Sequence, residues 1–564
     1  VTDLLLQTHD RGRTLTDLLA FIAETYPEKR CHFVPDGSSM SFARMAADAR
    51  RVAGGLRGHG VAPATLVGLL VPNSLDFVTA FFGVSAAGCV PTALPLPPSV
   101  SDMPAYARRL AHIMADGRIG AVIAHEKFAG LLAESLPGVA VHTVRDLVAA
   151  GSVAPPVEVE IDENALAFVQ YTSGSTSAPK GVALTHRNVL AGIRAIASGI
   201  ELGENDVCSL WLPLFHDMGL IGLLTGLAYG VTMYLWPPSV FLRAPAKWLA
   251  DFARFGTTIY FGPNFSYEYL LANVTEEELA ALDLTPWRVA FNGGEHIDPG
   301  CLQRFSGYFS AAGFRPETMF PVYGLAEATL AVTFPVLGST PRVEHAHAGA
   351  LANERTFVRV DRLDPAARAV VSVGRPVLDH RVRVVGPAGT ALADGRVGEI
   401  EIAGPAVMSG YLHRDPREAV DADGWLATGD LGFVDEGELF VTGRAKEMIV
   451  VRGQNYYPQD VEALVRDVAG VNRGRCNAVV MAFPGHEYIA LFAESASHTP
   501  ADADALAETL RVTVERALQI DAVAVYVLKR GSIRRTTSGK YQRTLMGRLL
   551  FEGDLDTAML ATRE

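Results

Sequence analysis

The chain has 564 residues, more than one cooperative unit usually holds, so a large domain with a smaller companion is expected. Its 49% hydrophobic and 20% charged residues make an ordinary globular composition and exclude a disordered protein. The net charge of −13 comes from scattered acids with no Lys/Arg-rich stripe, which excludes nucleic acid as a partner and leaves any small anion such as ATP to local cations and backbone amides.

The opening stretch, VTDLLLQTHDRGRTLTDLL, carries charges where a signal peptide needs an apolar core, so secretion is not expected. Short apolar runs then alternate with polar loops and helical patterns: Leu66 to Val71 before Pro72-Asn73-Ser74, Ala121 to Ala124, Leu166 to Tyr171, Val207 to Leu212 and Thr257 to Phe261. That alternation predicts an α/β fold of doubly wound sheets, with ligands bound in the loops at the carboxyl ends of strands. Met218 to Leu242 has no charge and is long enough on paper to span a bilayer. Its glycines, Pro237, Pro238 and the strand-like Val231 to Trp236 argue against a transmembrane span. Gly219, Gly222, Gly226 and Gly230 share one face if the segment is helical, where they either let another backbone pack closely or leave a groove for an alkyl chain.

From about Gly374 the texture is β-rich: His380 to Val385, Gly398 to Ala403 and Leu439 to Val441, separated by turns such as Pro387-Ala388-Gly389. A small β-barrel-like subdomain over about 374–443 is expected. Beyond Gly443-Arg444-Ala445-Lys446 strands and helices alternate again: Glu447 to Val451, a helix from about Pro458, Ala478 to Phe483, Ile489 to Ala493, a helix through Leu506 to Ala517, and Ala522 to Leu528. A domain boundary near Lys446 follows, giving an N-terminal domain over 1–445 and a C-terminal α+β domain over 446–564. Cys31, Cys89, Cys208, Cys301 and Cys476 are odd in number and form no CxxC pair, which points to a reducing cytoplasm and no zinc.

The strongest local motif runs Tyr171-Thr172-Ser173-Gly174-Ser175-Thr176-Ser177-Ala178-Pro179-Lys180-Gly181, after a strand and before a helical pattern from about Asn188. Small hydroxyl residues and glycine let backbone amides converge on phosphate, and Lys180 adds a mobile cation. Pro179 and the absent G-x-x-x-x-G-K spacing exclude a Walker loop. The bland reading is a flexible loop with a solvated lysine. Asn292-Gly293-Gly294-Glu295 could bring backbone close to a flat ring, or be only a turn. Val322-Tyr323-Gly324-Leu325-Ala326-Glu327 offers an aromatic face for a base and a carboxylate for Mg²⁺, or a core tyrosine and a surface glutamate. Thr428-Gly429-Asp430 and Gly443-Arg444 supply a carboxylate suited to a vicinal diol and a guanidinium suited to phosphate or ribose, though both are common turn residues. Thr537-Ser538-Gly539-Lys540 places a lysine on a loop after the last apolar strand, where a surface lysine is the default.

The order of these pieces, over roughly residues 166 to 543, closely resembles the acyl-adenylate-forming superfamily of acyl-CoA synthetases, luciferases and peptide-synthetase adenylation domains. Within it the chain is most similar to the fatty acyl-AMP ligases. The features are Phe215-His216-Asp217-Met218-Gly219-Leu220-Ile221-Gly222, Ala326 where most relatives have threonine, Val450-Val451-Arg452-Gly453-Gln454-Asn455-Tyr456-Tyr457-Pro458, and an extra segment of about 349–373. The resemblance implies activation of a fatty acid by MgATP to acyl-AMP and transfer to the phosphopantetheine thiol of an acyl carrier protein. No carrier domain follows residue 543, so a separate carrier of the polyketide- or peptide-synthetase type is expected. It implies Lys540 as catalytic lysine and His216 as the wall of the acyl carboxylate, or else a satisfied core histidine. It implies Thr172, Ser173, Gly174, Ser175, Thr176 and Lys180 for the phosphates, Glu327 for Mg²⁺, and Gly293, Gly294, Glu295, Tyr323, Gly324, Leu325 and Ala326 around adenine. Asp430 would serve the ribose hydroxyls, Arg444 the ribose or phosphate edge, Lys446 the hinge, and His216, Met218, Gly219, Gly222 and Gly226 the acyl pocket. The extra segment resembles an insertion that packs on the mobile C-terminal domain and disfavours CoA transfer, and Val450 stands where CoA-using relatives often have lysine. A fatty acyl-CoA synthetase is the alternative.

Overall fold

The computed structural model describes residues 13–96, 103–136, 138–154, 159–172, 179–483, 486–497, 499–536 and 539–563. Two parallel sheets form the body. The larger has seven strands in the order Met319–Pro321, Val289–Asn292, Ile259–Gly262, Val207–Leu210, Thr232–Leu235, Arg30–Phe33 and Ser38–Ser41, parallel except for the last pair. The smaller runs Val90–Ala93, Leu66–Leu70, Ala121–Ala124 and Ala140–His142, all parallel. Strands such as Ile259–Gly262, Val289–Asn292 and Ala121–Ala124 are buried along their whole length, which is why they read as unbroken apolar runs without alternation. Helices cover them, and Pro245–Arg254 shows how: it sends Trp248, Leu249 and Phe252 inward and leaves its polar side out.

The uncharged stretch from Met218 is a buried helix, Asp217–Ala228, followed by the strand Thr232–Leu235. Among the described residues no helix is long and apolar enough to cross a membrane. The expectation of four glycines on one face needs correction. Gly219, Gly222 and Gly226 lie in the helix, but Gly230 follows its C-terminal cap Tyr229 with φ +68°, a left-handed backbone that glycine adopts without a Cβ clash.

The β-rich region is a four-stranded antiparallel sheet, Arg381–Val385, Gly398–Ala403, Leu426–Asp435 and Glu438–Arg444. The last two strands exceed the sequence reading, and they take in Asp430 and Arg444, residue types that are also common in turns. Beside this sheet, Val343–His347 pairs antiparallel with Ala367–Val371. The extra segment of 349–373 is therefore largely a return to that hairpin, with Leu351 and Val370 in its core. From Ile449 onward the chain forms hydrophobic clusters of its own around the sheet Val471–Phe483, His486–Ser495, Val523–Leu528 and Met559–Arg563.

Candidate active site

The strand Val289–Asn292 ends in Gly293 and Gly294, and a Cβ on Gly293 would stand 2.9 Å from the Val322 carbonyl oxygen, so this loop and the next lie backbone to backbone. Glu295 accepts a 2.6 Å hydrogen bond from the Phe265 amide. Burial raises its pKa, opposed by that amide and by the charges of Arg535, Lys540 and Arg543.

In that next loop Tyr323 donates its hydroxyl to Asp430 at 2.7 Å, and the Arg444 guanidinium reaches the other Asp430 oxygen at 2.8 Å. Asp430 and Arg444 are direct cross-strand partners, so sheet register brings them together. Glu327, on a short turn over Ala326–Ala328, accepts from the Tyr411 hydroxyl at 2.8 Å. Lys180 lies over the Tyr411 ring, 4.8 Å from its centroid. Burial and the Glu327 charge push the Tyr411 hydroxyl above its ordinary range. Tyr411 sits on a strand paired to Gly181–Thr185, and nothing in its local sequence marks it. The Thr172 amide bonds the Lys180 carbonyl at 3.1 Å and closes the phosphate-loop motif at its base. Ser173, Gly174, Ser175 and Thr176 lie outside the described residues, as do Thr537 and Ser538.

His216 caps the buried helix Asp217–Ala228 on a braced loop. Gln170 donates to the Phe215 carbonyl, and Asn73 bonds the Leu212 carbonyl at 2.8 Å and the Leu214 amide at 3.1 Å. Burial lowers the His216 pKa to about 3, with Lys540 and Arg109 adding to the shift, so its imidazole is neutral. Lys540 follows the strand Val523–Leu528, and its carbonyl accepts from the Thr536 amide at 2.8 Å. Gly539 has φ +89°, and a Cβ there would stand 2.8 Å from the Phe265 ring. The lysine loop thus rests on Phe265, whose amide holds Glu295. Arg109 was not singled out in the sequence, where it is one basic residue in an amphipathic helix.

The glycines proposed for an acyl pocket meet the protein's own atoms. A Cβ on Gly219 would stand 2.3 Å from the Pro213 carbonyl oxygen, on Gly226 2.4 Å from Met233 Sδ, and on Gly222 3.3 Å from the Phe261 ring. These are the distances of close packing. The Met218 methyl lies 3.3 Å from where a Cβ on Gly294 would stand, which joins this helix to the Gly293-Gly294 loop.

Lys446 lies in a single turn, Ala445–Glu447, between the antiparallel sheet and the C-terminal clusters. The extra segment grips both sides of that turn. Arg368 donates to the Thr442 carbonyl at 2.9 Å, pairs with Asp460 at 2.8 Å and covers the Tyr457 ring at 4.2 Å. Asn353 accepts from the Asn455 amide at 2.8 Å. Val450 is half-exposed.

The family model for AMP-binding enzymes matches residues 19–412. A medium-chain-fatty-acid–[acyl-carrier-protein] ligase, JamA of Moorena producens, is 32% identical over 96% of both chains. A putative fatty-acid–CoA ligase, fadD21 of Mycobacterium leprae, is 31% identical over 90% of this chain and 91% of its own. A solved structure from work on fatty acyl-adenylate ligases of E. coli and L. pneumophila superposes with a TM-score of 0.89 at 31% identity, covering 96% of this chain and 98% of that one.

Proposed function

The chain belongs to the AMP-binding enzyme family, and on that premise we propose that it activates a fatty acid with ATP to acyl-AMP, releasing pyrophosphate, and passes the acyl group to the phosphopantetheine thiol of a separate acyl carrier protein. The observation that carries this reading is the seating of the Lys540 loop on Phe265, beside Glu295 and within electrostatic reach of His216.

A carboxylate oxygen attacks the α-phosphorus, and the bond to the bridging oxygen of pyrophosphate breaks. Negative charge grows between the two reactants, and Lys540 is the cation positioned to meet it. Neutral His216 walls the carboxylate without competing for its charge. Tyr323 and the Gly293–Glu295 loop enclose the adenine, while Asp430, fixed by Tyr323 and Arg444, keeps lone pairs free for the ribose diol. Thr172 and Lys180 hold phosphates at the base of their loop. Glu327 would hold Mg²⁺, which neutralises phosphate charge. Among the described residues no three His, Cys, Asp or Glu converge, which suits an ion that takes one carboxylate and completes its shell with phosphates and water.

In this reading 446–564 is a mobile domain that turns at Lys446, letting the thiol attack the acyl carbon and displace AMP. The grip of Arg368 and Asn353 supports a role for the 349–373 segment in opposing that turn. The five buried free cysteines accord with a cytoplasmic enzyme. The test is mass spectrometry of products from enzyme, ATP and a fatty-acid panel, with CoA and a carrier protein in competition. Acyl-AMP and acyl-carrier are expected. Acyl-CoA as main product would establish the second reading, which the name of the mycobacterial relative favours, and the absence of acid-dependent AMP would sink both.

A further inference from the structure

The described residues on either side of Lys540 pair as a narrow hairpin. Arg535 and Tyr541 form an antiparallel bridge, the Gln542 amide donates to the Arg534 carbonyl at 3.0 Å, and the Lys540 amide donates to the Thr536 hydroxyl oxygen at 3.1 Å. Arg535 braces the two arms: its guanidinium lies 4.2 Å from the Tyr541 ring centroid and donates to the Tyr541 hydroxyl. One footing of this hairpin is Phe265, against which Gly539 lies. The other is Arg543, three residues beyond Lys540, where the second arm enters the helix Arg543–Phe551.

Arg543 uses its whole fork. Its Nε and one terminal nitrogen take both oxygens of Glu462, at 3.0 and 2.9 Å, and the other terminal nitrogen reaches Glu447 at 2.6 Å. Glu462 belongs to the helix Pro458–Val465, and its Oε1 also accepts the Ala478 amide at 3.0 Å, so it is anchored to the strand Val471–Phe483. Glu447 is placed differently. It ends the turn Ala445–Glu447 next to Lys446, three residues after the Arg444 that holds Asp430. The side chains of Arg543, Glu462 and Glu447 are only 16%, 6% and 10% exposed. A bidentate carboxylate already satisfies one guanidinium, so a second sheltered carboxylate leaves the trio net negative, and its desolvation offsets the attraction it gains. What Glu447 contributes is a position: it ties the lysine hairpin to the turn.

We propose that Arg543 and Glu447 position Lys540 for adenylation, their ion pair fixing the lysine hairpin to the turn at Lys446, so that the geometry of that turn sets where the ammonium stands. The proposal rests on the reading above in which Lys540 meets the charge that grows between carboxylate and α-phosphate. Such a charge is worth most when it need not be reorganised at the moment of reaction, and a lysine on its flexible four-carbon stem depends on a fixed backbone for that. Both residues act through Lys540 and not on the substrate.

The test is a double-mutant cycle in the full-length enzyme, Glu447→Gln and Lys540→Ala singly and together, read by acid-dependent pyrophosphate exchange with varied acid and varied ATP. Glu447→Gln keeps the shape of the side chain and leaves Arg543 its pair with Glu462. Its turnover should fall about tenfold with both KM values within about twofold of wild type, because the placed charge is used mainly in the transition state. In the Lys540→Ala background the same substitution should cost less than about twofold. Glu447→Asp alone, which keeps the charge, should recover part of the loss. An unchanged turnover in Glu447→Gln, a loss carried by KM, or the same tenfold cost in both backgrounds would overturn the proposal. Failure of Glu447→Gln to fold, read by circular dichroism, would make the trio part of the fold alone and overturn it too. Lys540→Ala that exchanges at the wild-type rate, or wild-type exchange that ignores added acid, would be a failure of the adenylating reading itself, seen before Glu447 is changed, and would take this proposal with it.

Discussion

At the Tyr323 corner, Asp430 is gripped from two sides, by a tyrosine hydroxyl at 2.7 Å from a neighbouring sheet and by the guanidinium of its own cross-strand partner at 2.8 Å. At the His216 corner a neutral imidazole lies within the electrostatic reach of Lys540 and Arg109, which come from different parts of the chain. The first corner is held by hydrogen bonds and register alone, and on the proposed function it positions the nucleotide. The second joins groups from distant parts of the chain, and on that same proposal it is where binding turns into reaction.

The harshest way to break this contrast is Lys540→Ala. It removes a charge used mainly in the transition state, so the turnover of acid-dependent pyrophosphate exchange should fall about 10²- to 10³-fold with KM for ATP little changed. Near-normal exchange would make the two corners equivalent.

Acid sharpens the contrast through a second neutral histidine. His186 is buried in the body, its Nδ1 accepts the Leu15 amide at 3.1 Å, and burial lowers its pKa to about 4. The unfolded chain, at about 6.5, binds the proton first, so the stability this group contributes is whole above pH 6.5 and is lost as pH falls toward 4. About 2 kcal/mol should be gone at pH 5, read as a shift in denaturant midpoint that His186→Gln flattens. His216, held down to about 3, should add no inflection to the rate profile between pH 5 and 8.

Tyr323→Phe probes the first corner. Removing one hydrogen bond to Asp430 should raise KM for ATP about tenfold and leave turnover alone, the reverse of Lys540→Ala. Arg368→Gln probes the proposed hinge at Lys446. Acyl-CoA formation should rise about fivefold with adenylation unchanged, because the grip opposing rotation is weakened. Excising 350–372 is a blunter tool: it would take the whole strand Ala367–Val371 from its hairpin and Leu351 and Val370 from their core.

The strands Ala121–Ala124, Leu166–Tyr171 and Gly398–Ala403 were legible to the residue because each is an apolar or alternating run between strong turn signals. The pairing of Asp430 with Arg444 was not, since cross-strand register leaves no local mark, and both residues are also ordinary turn residues. Gly230 was misplaced because glycine spacing alone cannot separate a helix face from the chain reversal after it. Tyr411 escaped because it acts on Glu327 across 84 positions, and isolated tyrosines are common everywhere.

The footing of Arg368 on both sides of Lys446 has a consequence for fuel economy. A mixed anhydride such as acyl-AMP is destroyed by water, and each molecule lost wastes one ATP. A guanidinium anchored to Thr442 before Lys446 and to Asp460 and Tyr457 after it ties the two sides of that turn together through three contacts. On the proposed hinge, a turn must give up those contacts, and an arriving acceptor that supplies contacts in exchange would lower that cost, so the delay between activation and delivery would act as a guard against leakage.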